Sequence, residues 1–545
     1  MKHRTVRLFS LGALLVFTST NHAFAQTRAP APHGDAPHQS STGFPKSCLV
    51  QEHPSEQISV LLETIRDHPT AGAYNTLGAL YARDGRVNCA ISAFEAALRL
   101  DNQNWQSHYN LGLALLTKGN QARAVSELQA AIQQKPDSAA SHFALGTLRQ
   151  DQGQLEAATQ EFQTVLRIDP NSAPAYLSLG VLYTRQGRDP EAADLFRQAI
   201  NKDQKNIPAR VNLGLTMARL GQFSEAEKEF RSALQIDPQN VEVNSALGML
   251  EAKTGRAAEA VESFQRVVEL QPKSADAHLN LGIALVDQYD RTTGFREFTE
   301  AERLDPESAG VHYNLGRYFF ETGKYDEARK QLETALHLQP DFAGALYFLA
   351  LTERQANQLE RATELLQKVV ALQPDNADAQ YLLGKNLERA GKTSEAIGHW
   401  KLALQTDPNQ SEALYNLARA LTKLHDPEAQ QYQNRFDTLQ KKQQITDRVG
   451  QLGNFAIQAA NAQNWPQALA QMKEAIAICG QCREAAHLHR NLGLMYCRTG
   501  NLQDGENELR AALQFNPDDV DANNAIAALR NLHAANDRAT GTSKN

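Results

Sequence analysis

Through most of the chain, apolar runs alternate with short polar breaks, and each run is closed by glycine or by proline. One set of runs ends at Gly85, Gly119, Gly153, Gly187, Gly221, Gly255, Gly323 and Gly391. A glycine at that point supplies the left-handed residue that stops a helix at low steric cost. The other set ends near Asp-Pro or Gln-Pro, because the residue before proline is pushed out of the helical region. The pattern predicts helix after helix in pairs: an all-α chain.

The pairs recur on a fixed period. Gly78, Gly112, Gly146, Gly180, Gly214, Gly248, Gly282 and Gly316 stand 34 residues apart, Ala350 takes the next place and Gly384 the one after. Twelve residues beyond each lies a small residue: Ala90, Ala124, Ala158, Ala192, Ala226, Ala260, Gly294, Ala328, Ala362 and Ala396. Residues 71–410 thus hold ten units of 34 without an insertion, the signature of a stacked array. When each unit is numbered from its first residue, these small residues occupy positions 8 and 20. There two antiparallel helices approach most closely, and a larger side chain would push them apart. Position 24 is bulky (Phe94, Phe162, Phe196, Phe230, Phe264, Phe298, Trp400) and fills the space between neighbouring pairs.

Leu at position 7, Gly at 8, Ala at 20, Phe at 24, Ala at 27 and Pro at 32 resemble the tetratricopeptide repeat family, and the likeness covers almost all of the chain beyond its first 54 residues. The resemblance implies a right-handed α-solenoid, a superhelix of antiparallel helix pairs whose first helices line a concave surface. Stability in such a stack comes from nearest neighbours.

Outside the ten units the register weakens. Residues 55–70 read as an N-terminal cap helix. Residues 411–447 read as a divergent unit whose second helix begins at Pro427 and continues to about Lys442, a candidate hinge. Residues 448–533 read as two further units (with Leu492, Gly493 and Pro517 in place) and a C-terminal cap helix from Val520 to about His533, followed by a disordered tail, 534–545. Residues 26–54 form a flexible leader rich in Pro, His and Ser, too polar to order itself. Residues 1–25 have the shape of an export signal: Lys2, Arg4 and Arg7, an apolar stretch from Leu8 to Phe17, and Ala23-Phe24-Ala25 before an expected cleavage at Gln26. The apolar stretch is too short to span a bilayer. A periplasmic or secreted location is expected, with no membrane span after cleavage.

Composition narrows the function. The 545 residues carry 55 Lys+Arg against 62 Asp+Glu, a net charge of −7, which argues against a protein built to grip nucleic acid. No phosphate-binding glycine loop, metalloprotease His-Glu motif or nucleophile-elbow serine occurs. The reading is therefore not an enzyme, with no cofactor and no metal. It is a scaffold whose partners are other proteins, held as extended and in part acidic segments in the groove.

Position 6 is Asn at Asn110, Asn212, Asn280, Asn314, Asn416 and Asn491. An amide offers both a donor and an acceptor, and relatives in the family use such a row to hold a peptide backbone. A plainer reading makes Asn a common residue at this position; Ala144, Ser178, Ala246, Phe348 and Leu382 interrupt the row. Position 5 is Tyr313, Tyr347, Tyr381 and Tyr415 in four consecutive units, and position 9 supplies Arg317, Lys385 and Arg419. Earlier units place Tyr109, Phe143 and Leu113 there, so the groove reads as apolar first and aromatic-plus-basic later. Tyr and Arg are favoured interface anchors, although tyrosines at position 5 can equally be packing residues. The Lys and Asn clamp that chaperone-tail binders of the family spread over three units is not matched.

Five cysteines are too few for a disulfide-built scaffold. Cys479 and Cys482 flank a loop and read as a short disulfide, with a metal site shared with His487 or His489, or a redox motif, as weaker alternatives. Cys48 and Cys89 read as a possible tie between the leader and the first unit. Two rival functions stay open at this level. One is an envelope assembly or export factor, polysaccharide handling included, acting through convex or end surfaces; the other is a thiol or metal protein.

Overall fold

The computed structural model describes Pro45, Cys48 and residues 56–541. The expected export signal, nearly all of the leader and the last four residues of the tail lie outside them. From Glu56 to Gly541 helix follows helix, and no strand occurs among the described residues. Each of the ten repeats in register is a first helix of 13 residues, such as Ala139–Asp151, and a second of 14, such as Leu155–Ile168, packed side by side. The described residues gather into two compact bodies, which divide between Leu315 and Gly316.

The ends of the helices explain their constant length. In most units a Ser, Asn or Thr stands just before the first helix, and its side chain accepts a hydrogen bond from the backbone N–H three residues on. Asn104 does so for Ser107, Ser172 for Ala175 and Asn376 for Ala379, satisfying a donor the helix leaves open. At the other end the turn residue is left-handed even where glycine is missing. Tyr289, Asn357, His425 and Gln463 have φ of 72°, 60°, 55° and 59°. The same backbone bond closes both versions of the turn, Arg86 N to Tyr81 O at 2.8 Å and Asp290 N to Leu285 O at 2.9 Å. The helix pair sets the turn, and glycine only lowers its cost.

In the first body the core is a file of position-24 side chains, each beneath the glycine of the first helix. Phe94, Phe162, Phe196 and Phe230 are at most 1% exposed. A Cβ on Gly214 would sit 2.5 Å from the Phe230 ring, so the glycines are sites of contact. Histidines brace several pairs. Nδ1 of His108, His142 and His278 meets Glu127, Glu161 and Glu297 at 2.7, 2.5 and 2.6 Å, while Nε2 of each faces a carbonyl oxygen of the preceding loop.

In the second body Leu332, Leu366 and Trp400 take the position-24 place, each fully buried. The divergent unit departs from expectation. Its second helix does not stop near Lys442 but runs as one helix of 33 residues, Ala429–Asn461, so no break falls at 447/448. Between Pro427 and Gly450 the sequence holds neither proline nor glycine, and nothing signals a stop. Its first part packs on Ser411–Lys423, and its last part carries Val449, Leu452 and Ala456 into a separate core with Met472, Leu488 and Leu492. Residues 441–448 between them are exposed on every side. The final helix, Val520–Gly541, also outruns the expected end at His533. No proline or glycine intervenes before Gly541.

Candidate functional site

Positions 2, 5, 6 and 9 of a first helix share one side of it, because they are separated by three or four residues. Stacking puts the same positions of successive units next to one another. In the first body this produces an open concavity of about 580 Å³ across three consecutive units. Tyr109 and Phe143 (position 5), Leu113 and Thr147 (position 9), Ala140 and Pro174 (position 2) line it. Its walls are mostly apolar, with Gln121, Thr147, Asp151 and Ser172 as the polar members. Packing and exposure are mixed within it: the Phe143 ring lies 5.4 Å from Phe162 of the core, and burial raises the pKa of the Tyr109 phenol, whereas Leu113 is 36% exposed.

The asparagine row divides. Asn212, Asn314 and Asn416 turn their amide N–H back to the carbonyl oxygen four residues earlier, on Pro208, Gly310 and Glu412, at 2.8, 2.9 and 2.8 Å. Asn110 reaches across to the neighbouring unit and donates to Asn75 Oδ1 at 3.0 Å, an oxygen that also accepts from Ser107. Asn280 and Asn491 are half-buried on their helices. Asn416 also hydrogen-bonds the Tyr381 phenol, so an amide of this first group can serve a neighbouring unit as well as its own helix.

The tyrosines differ in depth. Tyr313 is half-buried in the first body. In the second, Tyr347 is the most withdrawn; burial holds its phenol far above the ordinary range, and its ring meets Phe348 edge-on at 5.8 Å. Burial raises Tyr381 as well, and its backbone oxygen accepts from the Trp400 indole at 3.2 Å. Tyr415 is 46% exposed and packs on Phe436. Two of the three expected cations prove to be paired. Arg317 bonds Glu321 of its own helix at 3.0 Å, and Arg419 grips both oxygens of Glu388 at 2.8 and 2.9 Å. Of the three, only Lys385 meets no carboxylate among the described residues; its ammonium stands over the Tyr381 ring, 5.8 Å from the centroid. Of the basic lining expected at position 9, Arg317 and Arg419 thus already hold an acid of this chain. Acidic residues one helical turn away or one unit back can reach position 9, and position alone does not show it.

The cysteine alternatives resolve in favour of disulfides: Cys48 is bonded to Cys89 and Cys479 to Cys482. With both sulfurs of the loop joined, neither is a thiolate for a metal. His489 is engaged with Glu508 at 2.6 Å. Cys497 is the free thiol, half-buried, its pKa raised by desolvation. The carboxylates of Glu227, Glu251 and Glu259 come within 4.8 Å of one another, but Arg231 and Arg256 lie among them in five ion pairs of 2.8 to 3.5 Å. That cluster is an ion-pair network of the scaffold.

Profiles of the tetratricopeptide repeat match residues 75–139, 143–207, 295–331, 313–377 and 381–435, and two further profiles of the same repeat match 185–250 and 250–288. The chain belongs to the tetratricopeptide repeat family. Its repeats make it a scaffold for protein–protein interaction. Solved structures resemble stretches of it: YrrB, described as a tetratricopeptide repeat protein with an unusual peptide-binding site, is 24% identical over 34% of this chain and 95% of its own, with a TM-score of 0.31. PilF of Pseudomonas aeruginosa is 22% identical over 39% of this chain and 96% of its own, TM-score 0.35. PilW, described as a type IV pilus biogenesis factor, is 19% identical over 39% and 98%, TM-score 0.36. No protein of curated function matches the sequence. No helix among the described residues is long and apolar enough to cross a membrane.

Within this tetratricopeptide repeat array, two cations of the first-helix face went unnoticed in the sequence. Arg354 and Arg389 sit in the last turn of their helices. Arginines end many first helices here (Arg83, Arg185, Arg219), where they complement the helix dipole, so nothing in the sequence distinguishes these two.

Proposed function

We propose that the protein holds extended segments of partner proteins along the faces made by its first helices. The observation that carries this is the open, mostly apolar concavity of about 580 Å³, formed across three successive units. Apolar walls supply affinity by removing surface from water, and the amide oxygens of the asparagine row supply hydrogen bonds that do not depend on the guest's side chains. The helices are fixed by packing before a guest arrives, so the receptor loses little freedom on binding. In the host, crosslinking followed by capture should give several-fold less partner for Leu113→Asp with Thr147→Asp, and for Asn280→Ala with Asn314→Ala, at unchanged helical circular dichroism. Undiminished capture by both variants would refute the groove.

We further propose that the protein works outside the cytoplasm. The basic-apolar-small pattern of residues 1–25 and the two disulfides support this, since disulfides persist in oxidising compartments. Sequencing the N-terminus of protein recovered from the envelope or medium should return Gln26; an intact Met1 in the cytosolic fraction would exclude it.

A further inference from the structure

In the second body several cations are matched to acids. Arg329 and Arg361 share Glu353, which is 1% exposed, at 2.9 and 3.2 Å. Lys401 meets Glu428, Arg448 meets Glu474, and Arg490 meets Asp519. Among the cations left unpaired, one group of three stands out because its members crowd together and two of them, Arg354 and Lys385, are half-buried. Arg354, Lys385 and Arg389 form no ion pair within 4.0 Å among the described residues, and one terminal nitrogen of Arg354, Nη1, is buried with no hydrogen-bond partner. The three lie on successive first helices, Ala343–Gln355 and Ala377–Arg389, close enough to repel. Desolvation lowers the pKa of Arg354, and Arg389 lowers it further; desolvation also lowers Lys385, with Arg354 and Arg389 adding to it.

The nearby acids are spent or off to one side. Glu388 is gripped by Arg419, and Asp378 accepts from Gln410 at 2.9 Å. Glu412 acts on Lys385 and Tyr381 only through its field. A half-buried guanidinium and ammonium without a counter-charge are costly to keep, and an incoming anion would remove that cost. Tyr347 and Tyr381 border the same group, and burial keeps both phenols protonated and able to donate.

We propose that Arg354, Lys385 and Arg389, with the phenols of Tyr347 and Tyr381, form a binding site for a carboxylate-bearing segment of a partner protein. The site takes an Asp or Glu side chain or a chain terminus: guanidinium and phenol donors match a planar carboxylate, and the net charge of −7 opposes a polyanion such as nucleic acid. This rests on the first-helix face being the protein-binding face and names what one stretch of it selects.

The test uses the full chain and fluorescence anisotropy with two labelled probes, a flexible Gly/Glu peptide and its Gly/Gln counterpart. The Glu peptide should bind roughly tenfold or more tightly than the Gln peptide. Lys385→Gln with Arg389→Gln should abolish that preference and leave Gln-peptide binding unchanged. Arg354→Gln should do the same; because Arg354 is half-buried, the exposed-side pair carries the test if that variant folds poorly. Arg317→Gln with Arg419→Gln should change the preference less than twofold. Equal affinity for both peptides, or a preference that survives Lys385→Gln with Arg389→Gln, would overturn the site while leaving the groove reading standing. Binding of neither peptide would overturn both. Tighter binding of a single-stranded oligonucleotide than of the Glu peptide would reassign the site and overturn the proposal.

Discussion

Trp400→Ala is expected to unfold one repeat locally while distant repeats stay intact. The indole is fully buried, and a Cβ on Gly384 would lie 2.6 Å from its Nε1, so the ring fills the whole gap between the paired helices Ala377–Arg389 and Thr393–Thr406. Emptying that space should cost about 3–5 kcal/mol. In a stack stabilised by nearest neighbours the loss stays near its source. Hydrogen exchange should therefore quicken by roughly two to three orders of magnitude in those two helices, with no change in Ala139–Asp151 and Leu155–Ile168 of the other body. Trp400→Phe should show a smaller effect in the same place. Exchange that rises evenly along the chain would mean that the core is not divided repeat by repeat.

Cys48→Ser with Cys89→Ser should loosen the first repeat far more than Cys479→Ser with Cys482→Ser loosens the loop it closes. The first disulfide joins residues 41 apart and the second residues 3 apart. Chain entropy alone then predicts losses of about 4 and about 2 kcal/mol. The first bond also positions a polar contact in the core. Tyr81, fully buried, donates from its hydroxyl to the Cys48 carbonyl at 2.5 Å, with the Arg86 guanidinium 4.7 Å above its ring. Exchange in Ala71–Arg83 and Val87–Leu100 should report the first loss, and reduced wild-type protein should match the double variant. Comparable effects from the two pairs would show that loop length is not what the disulfides stabilise through.

How much was legible varied with the kind of interaction. Burial of Phe94, Phe162 and Trp400 under the glycines follows from a strict period, because a residue repeated at one place in identical units meets an identical neighbour. The left-handed turn at Tyr289 was not legible, since only its neighbours' glycines marked it; the pair around it imposes the conformation. The fused helix Ala429–Asn461 was missed at its far end because a helix that lacks a stop signal gives no sign of how far it continues.

By itself, the sequence determined the all-α repeat, the length and pairing of its helices, and which positions of each unit go inward. Small and bulky residues on a 34-residue beat leave no other way to bury their apolar faces. Only the tertiary structure decided what the polar side chains on the first helices do: that Asn416 folds back on Glu412, that Arg419 is held by Glu388, and that Arg354, Lys385 and Arg389 are left without an acid. Long polar side chains choose partners through rotamers and through the rotation between neighbouring units, and a difference of an ångström or two there turns an ion pair into an open charge.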